Sequence, residues 1–187
     1  MKRRLEDAFG LELKYEIVGE PTTYDEALSL ANQDKYQFQW WALGLVGARP
    51  TDEKKGADHG IDGRLYFHDD ASGQTKQVVI SVKGGGTNVA HVRDLKGVLE
   101  REKAQIGVLI TMEEPSKPMR AEAASSGFYE SSWGPNKYPR VQILTIRDLL
   151  DGKRIDMPPI SQVNQTFRRA PKQSSKGGNQ MPLLKDS

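Results

Sequence analysis

Two residues carry the sharpest chemical signal in the chain: Asp62, inside the run Gly60-Ile61-Asp62-Gly63, and Lys83, which ends the apolar run QVVISVK before three glycines. In an extended strand the side chains alternate, so Val78, Ile80 and Val82 point to one face and Val79, Ser81 and Lys83 to the other. A lysine at the end of such a strand must reach water, a carboxylate or a ligand. Asp62 begins the preceding strand and lies close enough, in a plausible register, to be that partner. An acid held near a lysine suits phosphodiester hydrolysis: the carboxylate holds a divalent cation, and the amine positions a water or stabilises charge developing on phosphorus. The competing reading is a structural Asp62–Lys83 ion pair, with Gly63 and Gly84 serving turns. Spacing alone leaves both open.

Other combinations are weaker. Lys83-Gly84-Gly85-Gly86 is not a phosphate cradle of the Walker type, because that loop needs its glycines before the lysine and a Ser or Thr after it. Its glycines are expected to let the backbone turn tightly beside the next helix or a ligand. His68, Asp69 and Asp70 imitate a metal cluster, and a solvated turn is the expectation for them.

The elements that must position these residues follow from patterning. Pro21 with Thr22 or Thr23 as cap, and Asp25 and Glu26 in the first turn, predicts a helix through Ala27, Leu28, Leu30 and Ala31. A second helix is predicted from Asp34 through YQFQWWALGLVG; being apolar nearly all round, it is expected to lie buried between layers, with Trp40 and Trp41 as packing residues. After a polar break (residues 48–63), RLYFH and QVVISVK predict an antiparallel hairpin across the turn DDASGQ. NVAHVRDLKGVLEREK has helical spacing, and IGVLITM is a strand buried on both faces. KPMRAEAASSG predicts a helix ending near Gly127, YPRVQILTI a strand, and RDLLDG a closing helical turn. The class is α/β: a sheet with helices on both faces and an antiparallel hairpin at its start.

Composition limits the alternatives. With 187 residues the chain holds one medium domain, with or without appendages. It has no Cys, which excludes a disulfide scaffold, a Cys-based zinc site and thiol catalysis. No run reaches the roughly 18 apolar residues of a membrane span, and the N-terminus lacks the apolar stretch of a signal peptide, so a cytoplasmic protein is expected. The net charge of +2 hides asymmetry: residues 1–34 balance to −4, residues 35–160 to +2 and residues 161–187 to +4. The last segment is poor in large apolar residues and is expected to be a basic, disordered tail. Residues 1–20 are expected to be a linker or the end of a preceding domain, and residues 21–160 the folded domain.

From about residue 35 to 146 the motifs QFQWWALGLVG, GADHGIDG, SVK, VRDLKGVLEREK, IGVLITM and MRAEAASSG resemble, in order and spacing, the restriction-endonuclease-like PD-(D/E)xK nucleases, and in particular the Mrr-like branch. The wording also resembles the C-terminal region of adenine-specific DNA methyltransferases of restriction systems, although no Asn-Pro-Pro-Tyr motif or Gly-rich cofactor loop is present. The resemblance implies a mixed sheet, with an antiparallel hairpin plus parallel strands, flanked by helices on both faces. It implies a metal-dependent DNA endonuclease of a restriction-modification system, using Mg²⁺ or Mn²⁺. Asp62 would be the metal-binding acid and Lys83 the catalytic lysine. Ser81 stands where the family most often has Glu, Asp or Gln, and Gln39 where many members have a helix Glu. Mg²⁺ usually requires one or two carboxylates; here Ser81 and the Val82 carbonyl would add neutral oxygens, and Asp58 is either a second acid or a residue that shapes its loop. The departures imply cleavage that is slow, metal-hungry or lost, and the alternative is a weakened nuclease fold that binds DNA or docks on a methyltransferase. Lys54, Lys55, Thr87, Asn88, His91 and Arg93 flank the site and would meet DNA phosphates. Cutting both strands commonly uses two sites, which leaves room for a homodimer.

Overall fold

The computed structural model describes residues 19–51, 60–70, 74–132 and 134–159. The basic tail, most of the 1–20 segment, and Lys54, Lys55 and Asp58 lie outside them. Helix α1 (Tyr24–Gln33) starts where its capping chemistry dictates: Thr23 accepts from the Glu26 amide while the Glu26 carboxylate returns to the Thr23 amide. Asp34 closes α1 and caps α2 (Lys35–Leu45), its carboxylate accepting from the Tyr36 and Gln37 amides. Strand β1 (Arg49–Pro50) follows, then β2 (Gly63–Phe67), β3 (Lys76–Lys83) and helix α3 (Val89–Glu102). Strand β4 (Ile106–Thr111), helix α4 (Lys117–Ala124), strands β5 (Phe128–Glu130), β6 (Lys137–Pro139) and β7 (Val141–Thr145), and helix α5 (Ile146–Leu150) complete the order.

The main sheet runs β1-β2-β3-β4-β7, antiparallel from β1 to β3 and parallel from β3 to β7. This is the expected mixed sheet, with the hairpin at one side. Parity holds as read from sequence. Val78, Ile80 and Val82 pack with Val108 and Ile110 against α1, α2 and α5, through Ala27, Ala31, Phe38, Leu43, Ile146 and Leu149. Val79 and Leu109 pack on the other face against Val92, Leu95, Val98 and Leu99 of α3 and Met119 of α4. Every residue of β4 is buried, as a strand flanked by parallel neighbours and covered on both faces must be.

Four expectations need correction. Helix α2 is not buried between layers: it buries Phe38, Ala42 and Leu43, while Tyr36 is 61% and Trp40 48% exposed. Its two tryptophans divide, Trp41 packing at 5.9 Å on Phe38 and Trp40 turned outward. The YPRVQILTI run is two strands, because the chain leaves the β5–β6 ribbon at Arg140 and enters the main sheet at Val141. The polar break contains edge strand β1, where Pro50 is tolerated because its missing N–H faces no partner strand. Finally, Asp69 is not in a solvated turn but has no exposed surface. It accepts from Lys76 and from the Tyr129 hydroxyl, tying the hairpin to the β5–β6 ribbon, and Asp70 holds Lys76 at 2.8 Å. Burial opposes ionisation of Asp69, yet hydrogen bonds from Lys76, Tyr129 and Ser131 hold its carboxyl below the usual range.

Candidate functional site

The site forms where β2 begins and β3 ends. The backbone pins the Gly60–Gly63 run in place: the Asp62 amide donates to the Ile80 carbonyl at 2.8 Å and the Thr51 amide to the Asp62 carbonyl at 3.1 Å. The Thr51 hydroxyl donates to the Ile61 carbonyl at 2.9 Å. Gly63 is required by close approach, not by a turn. A Cβ there would lie 2.4 Å from Leu43 Cδ2 and 3.1 Å from the Arg49 carbonyl oxygen, so only glycine lets α2 and β1 sit this near Asp62. Gly84 plays the same part at the other strand end, where a Cβ would meet Phe38 at 3.1 Å and Ala31 at 3.3 Å.

The half-buried Asp62 carboxylate then collects three hydrogen bonds. Oδ1 accepts from Gln39 Nε2 at 2.9 Å; Oδ2 accepts from the Val82 amide at 2.6 Å and from Ser81 Oγ at 3.2 Å. Thus Asp62, Ser81, Val82 and Gln39, assigned separately from sequence, do meet. They meet as one acceptor and its donors. The Val82 N–H is the group that bonds Asp62; the resemblance had implied the Val82 carbonyl as a metal ligand. Lys83 is half-buried nearby and has no ion pair or hydrogen bond among the described residues, so the reading as a structural Asp62–Lys83 pair is not met.

Mg²⁺ usually binds through one or two carboxylates with further oxygens; in this structure Asp62 is the carboxylate at the strand end, and its two oxygens accept three hydrogen bonds from Gln39, Ser81 and the Val82 amide. Among the described residues no group of three or more His, Asp or Glu side chains stands ready to hold a metal.

Beside Asp62, on the α3 face, lies a cavity of about 570 Å³. Ser81 and Lys83 line one side, His91, Arg93, Asp94 and Arg101 of α3 the other, and Gly60 and Gly97 lie between them. Of the sequence-assigned DNA contacts, His91 and Arg93 reach this cavity. Asn88 instead caps α3 by accepting from the Ala90 amide, and Thr87 does not line the cavity. Asp94, Gly97 and Arg101 were missed, although positions 93, 97 and 101 share one helix face at spacings of four and could have been found that way. Arg93 and Lys96 converge on Glu122, which these two hydrogen bonds hold below the ordinary carboxylate range.

A family profile described as NACHT-associated inactive Restriction Endonuclease 1 matches residues 35–151. No curated protein matches. Solved structures similar to this chain include the MspJI restriction endonuclease in complex with a 27-mer oligonucleotide, at 16% identity and TM-score 0.49, covering 74% of this chain and 33% of that one. The DNA modification-dependent restriction endonuclease AspBHI follows at 19% identity and TM-score 0.48, covering 75% and 38%. Restriction endonuclease FokI bound to DNA is similar at 15% identity and TM-score 0.44, covering 80% and 29%. The chain spans between about a quarter and two fifths of each of these longer chains.

Proposed function

The chain belongs to the NACHT-associated inactive Restriction Endonuclease 1 family, and from that premise we propose that it is a nuclease fold that binds nucleic acid without cutting it. One observation carries the reading: both oxygens of Asp62, the acid at the metal position, accept hydrogen bonds from Gln39, Ser81 and the Val82 amide, which stabilise the carboxylate without a cation. Lys83 and Arg93, with Lys54 and Lys55, supply cationic contacts and His91 a hydrogen-bond donor to phosphates, contacts that carry no base information. The family's description names an association with NACHT, and a host protein of that kind is where we place this module in preference to a DNA methyltransferase.

Fluorescently labelled duplex DNA tests this. Binding is expected to persist in EDTA and to weaken steeply as salt rises from about 50 to 200 mM, while supercoiled plasmid stays intact with Mg²⁺ or Mn²⁺. Absence of binding at low salt would refute the proposal. A second reading, a metal-dependent endonuclease, draws on Asp62 and Lys83 both standing at the same strand end. Metal-dependent nicking that disappears in Asp62→Ala and Lys83→Ala would establish it and remove the first.

A further inference from the structure

The cavity on the α3 face carries more than general electrostatic attraction. Lys83, with no partner among the described residues, stands on one wall. His91 on the other accepts the Asn88 backbone N–H at Nδ1, at 3.1 Å. That bond assigns the neutral imidazole its proton on Nε2, so the ring presents a donor. Arg93 bonds Glu122 through Nε alone, which leaves its terminal nitrogens as donors at the rim. Arg93 is paired with Glu122 and Arg101 with Glu102, so Lys83 is the lining cation whose charge no ion pair meets among the described residues.

Its floor is different in character. Leu95 and Val98 line it, together with Gly60 and Gly97. Gly97 lies inside α3, where glycine costs about 1 kcal/mol relative to alanine. Packing does not require it: a Cβ there would meet nothing within 4 Å. The effect of this glycine is to keep the floor open. A volume of about 570 Å³ falls within the range of about 300–1,000 Å³ typical of pockets that enclose small ligands.

We propose that this cavity binds one nucleoside monophosphate unit without metal, its phosphate held by Lys83, His91 and Arg93 and its apolar part on the Gly60–Gly97 floor. The unit comes either from a free nucleotide or from the 5′-phosphorylated end of a strand. The inference rests on the reading of Asp62 as a metal-free centre, but it concerns a neighbouring space.

Calorimetry in EDTA, with adenosine 5′-monophosphate, adenosine and inorganic phosphate as probes, tests it on the full chain. The monophosphate is expected to bind at least about tenfold tighter than adenosine, the worth of a charge-assisted hydrogen bond. Gly97→Leu fills the floor with a better helix former; it is expected to abolish binding while the melting temperature holds or rises. His91→Glu preserves the capping box at this position yet places negative charge on the phosphate, and is expected to abolish binding with the fold intact. Competition by 5′-phosphorylated against 5′-hydroxyl oligonucleotides separates the sources: stronger competition by the phosphorylated strand assigns the strand end, and equal weak competition assigns the free nucleotide. No monophosphate binding, or binding that survives Gly97→Leu, overturns the proposal. Duplex binding without cleavage in the same preparation would then leave the broader reading standing, and its loss would remove both.

Discussion

Asp62→Ala discriminates between a carboxylate that stabilises the fold and one kept ready for a cation. In the first case the carboxylate is an acceptor for three donors, and truncation strands them unequally. Val82 is 2% exposed, so its N–H loses a 2.6 Å charge-assisted bond with little access to water, at about 1–3 kcal/mol. Ser81 can rotate its hydroxyl and Gln39, half-buried, can turn to solvent, so together they add about 1 kcal/mol. The sum is a loss of about 2–4 kcal/mol, or a fall in melting temperature of about 5–12 °C for a domain of this size. Urea unfolding with a linear extrapolation reads the first quantity and calorimetry the second. Adding Mg²⁺ to the unsubstituted protein is expected to leave the midpoint unchanged; a cation at a hundred times its dissociation constant would add about 2.7 kcal/mol. If Asp62→Ala is neutral or stabilising, or if Mg²⁺ raises the midpoint, the carboxylate is not satisfied by its neighbours and the reasoning fails.

The same physics makes other expectations. Lys76→Met leaves the fully buried Asp69 without its amine and is expected to cost about 3–5 kcal/mol in urea unfolding, with the gap to the unsubstituted protein narrowing toward acid pH, as protonation of Asp69 removes the unpaired charge. Burial, then the hydrogen bond to Asp69, pushes the Tyr129 phenol up to about 12. Because that folded value is raised, its stabilising contribution is complete below about 10 and is lost as pH climbs through the raised value; Tyr129→Phe should therefore flatten the alkaline limb of the stability curve. Gly63→Ala forces a Cβ to 2.4 Å from Leu43 and should cost about 1–3 kcal/mol, measured by thermal unfolding. Ser81→Glu combined with Gln39→Glu places three carboxylates at the strand end and is expected to make stability rise with added Mg²⁺ or Mn²⁺ and to admit plasmid nicking; a midpoint insensitive to metal would show that the backbone around Asp62 no longer accommodates a cation.

Much of this protein was legible in the linear chain because its signals are local. Strand parity put Ser81 and Lys83 on the face opposite Val78, Ile80 and Val82. Capping residues placed the start of α1 at Thr22 or Thr23, of which the structure uses Thr23, and that of α2 at Asp34, and an uninterrupted apolar run marked the doubly covered β4. Those features depend on neighbours within a few residues, and so do the motifs that resemble restriction endonucleases. Asp69 was misjudged because a turn composition argues for solvent, and its burial is created by Tyr129, sixty positions away. Trp40 was misjudged because hydropathy does not say which arc of α2 the sheet covers.

The order of the helices and of the central strands, the face of each β3 residue and the identity of Asp62 and Lys83 as the residues to watch were therefore set by the sequence itself; β1 and the β5–β6 ribbon were not. Only the tertiary structure shows which groups meet Asp62. Its character depends on whether Gln39, Ser81 and the Val82 amide turn oxygens or hydrogens toward it, and that is a matter of side-chain orientation across three separate elements. Here three donors converge on the carboxylate that residue type assigns to a cation. The unpaired Lys83 and the open floor at Gly97 come together in the same way, through the packing of α3 on the parallel strands, at a distance in sequence that no local pattern spans.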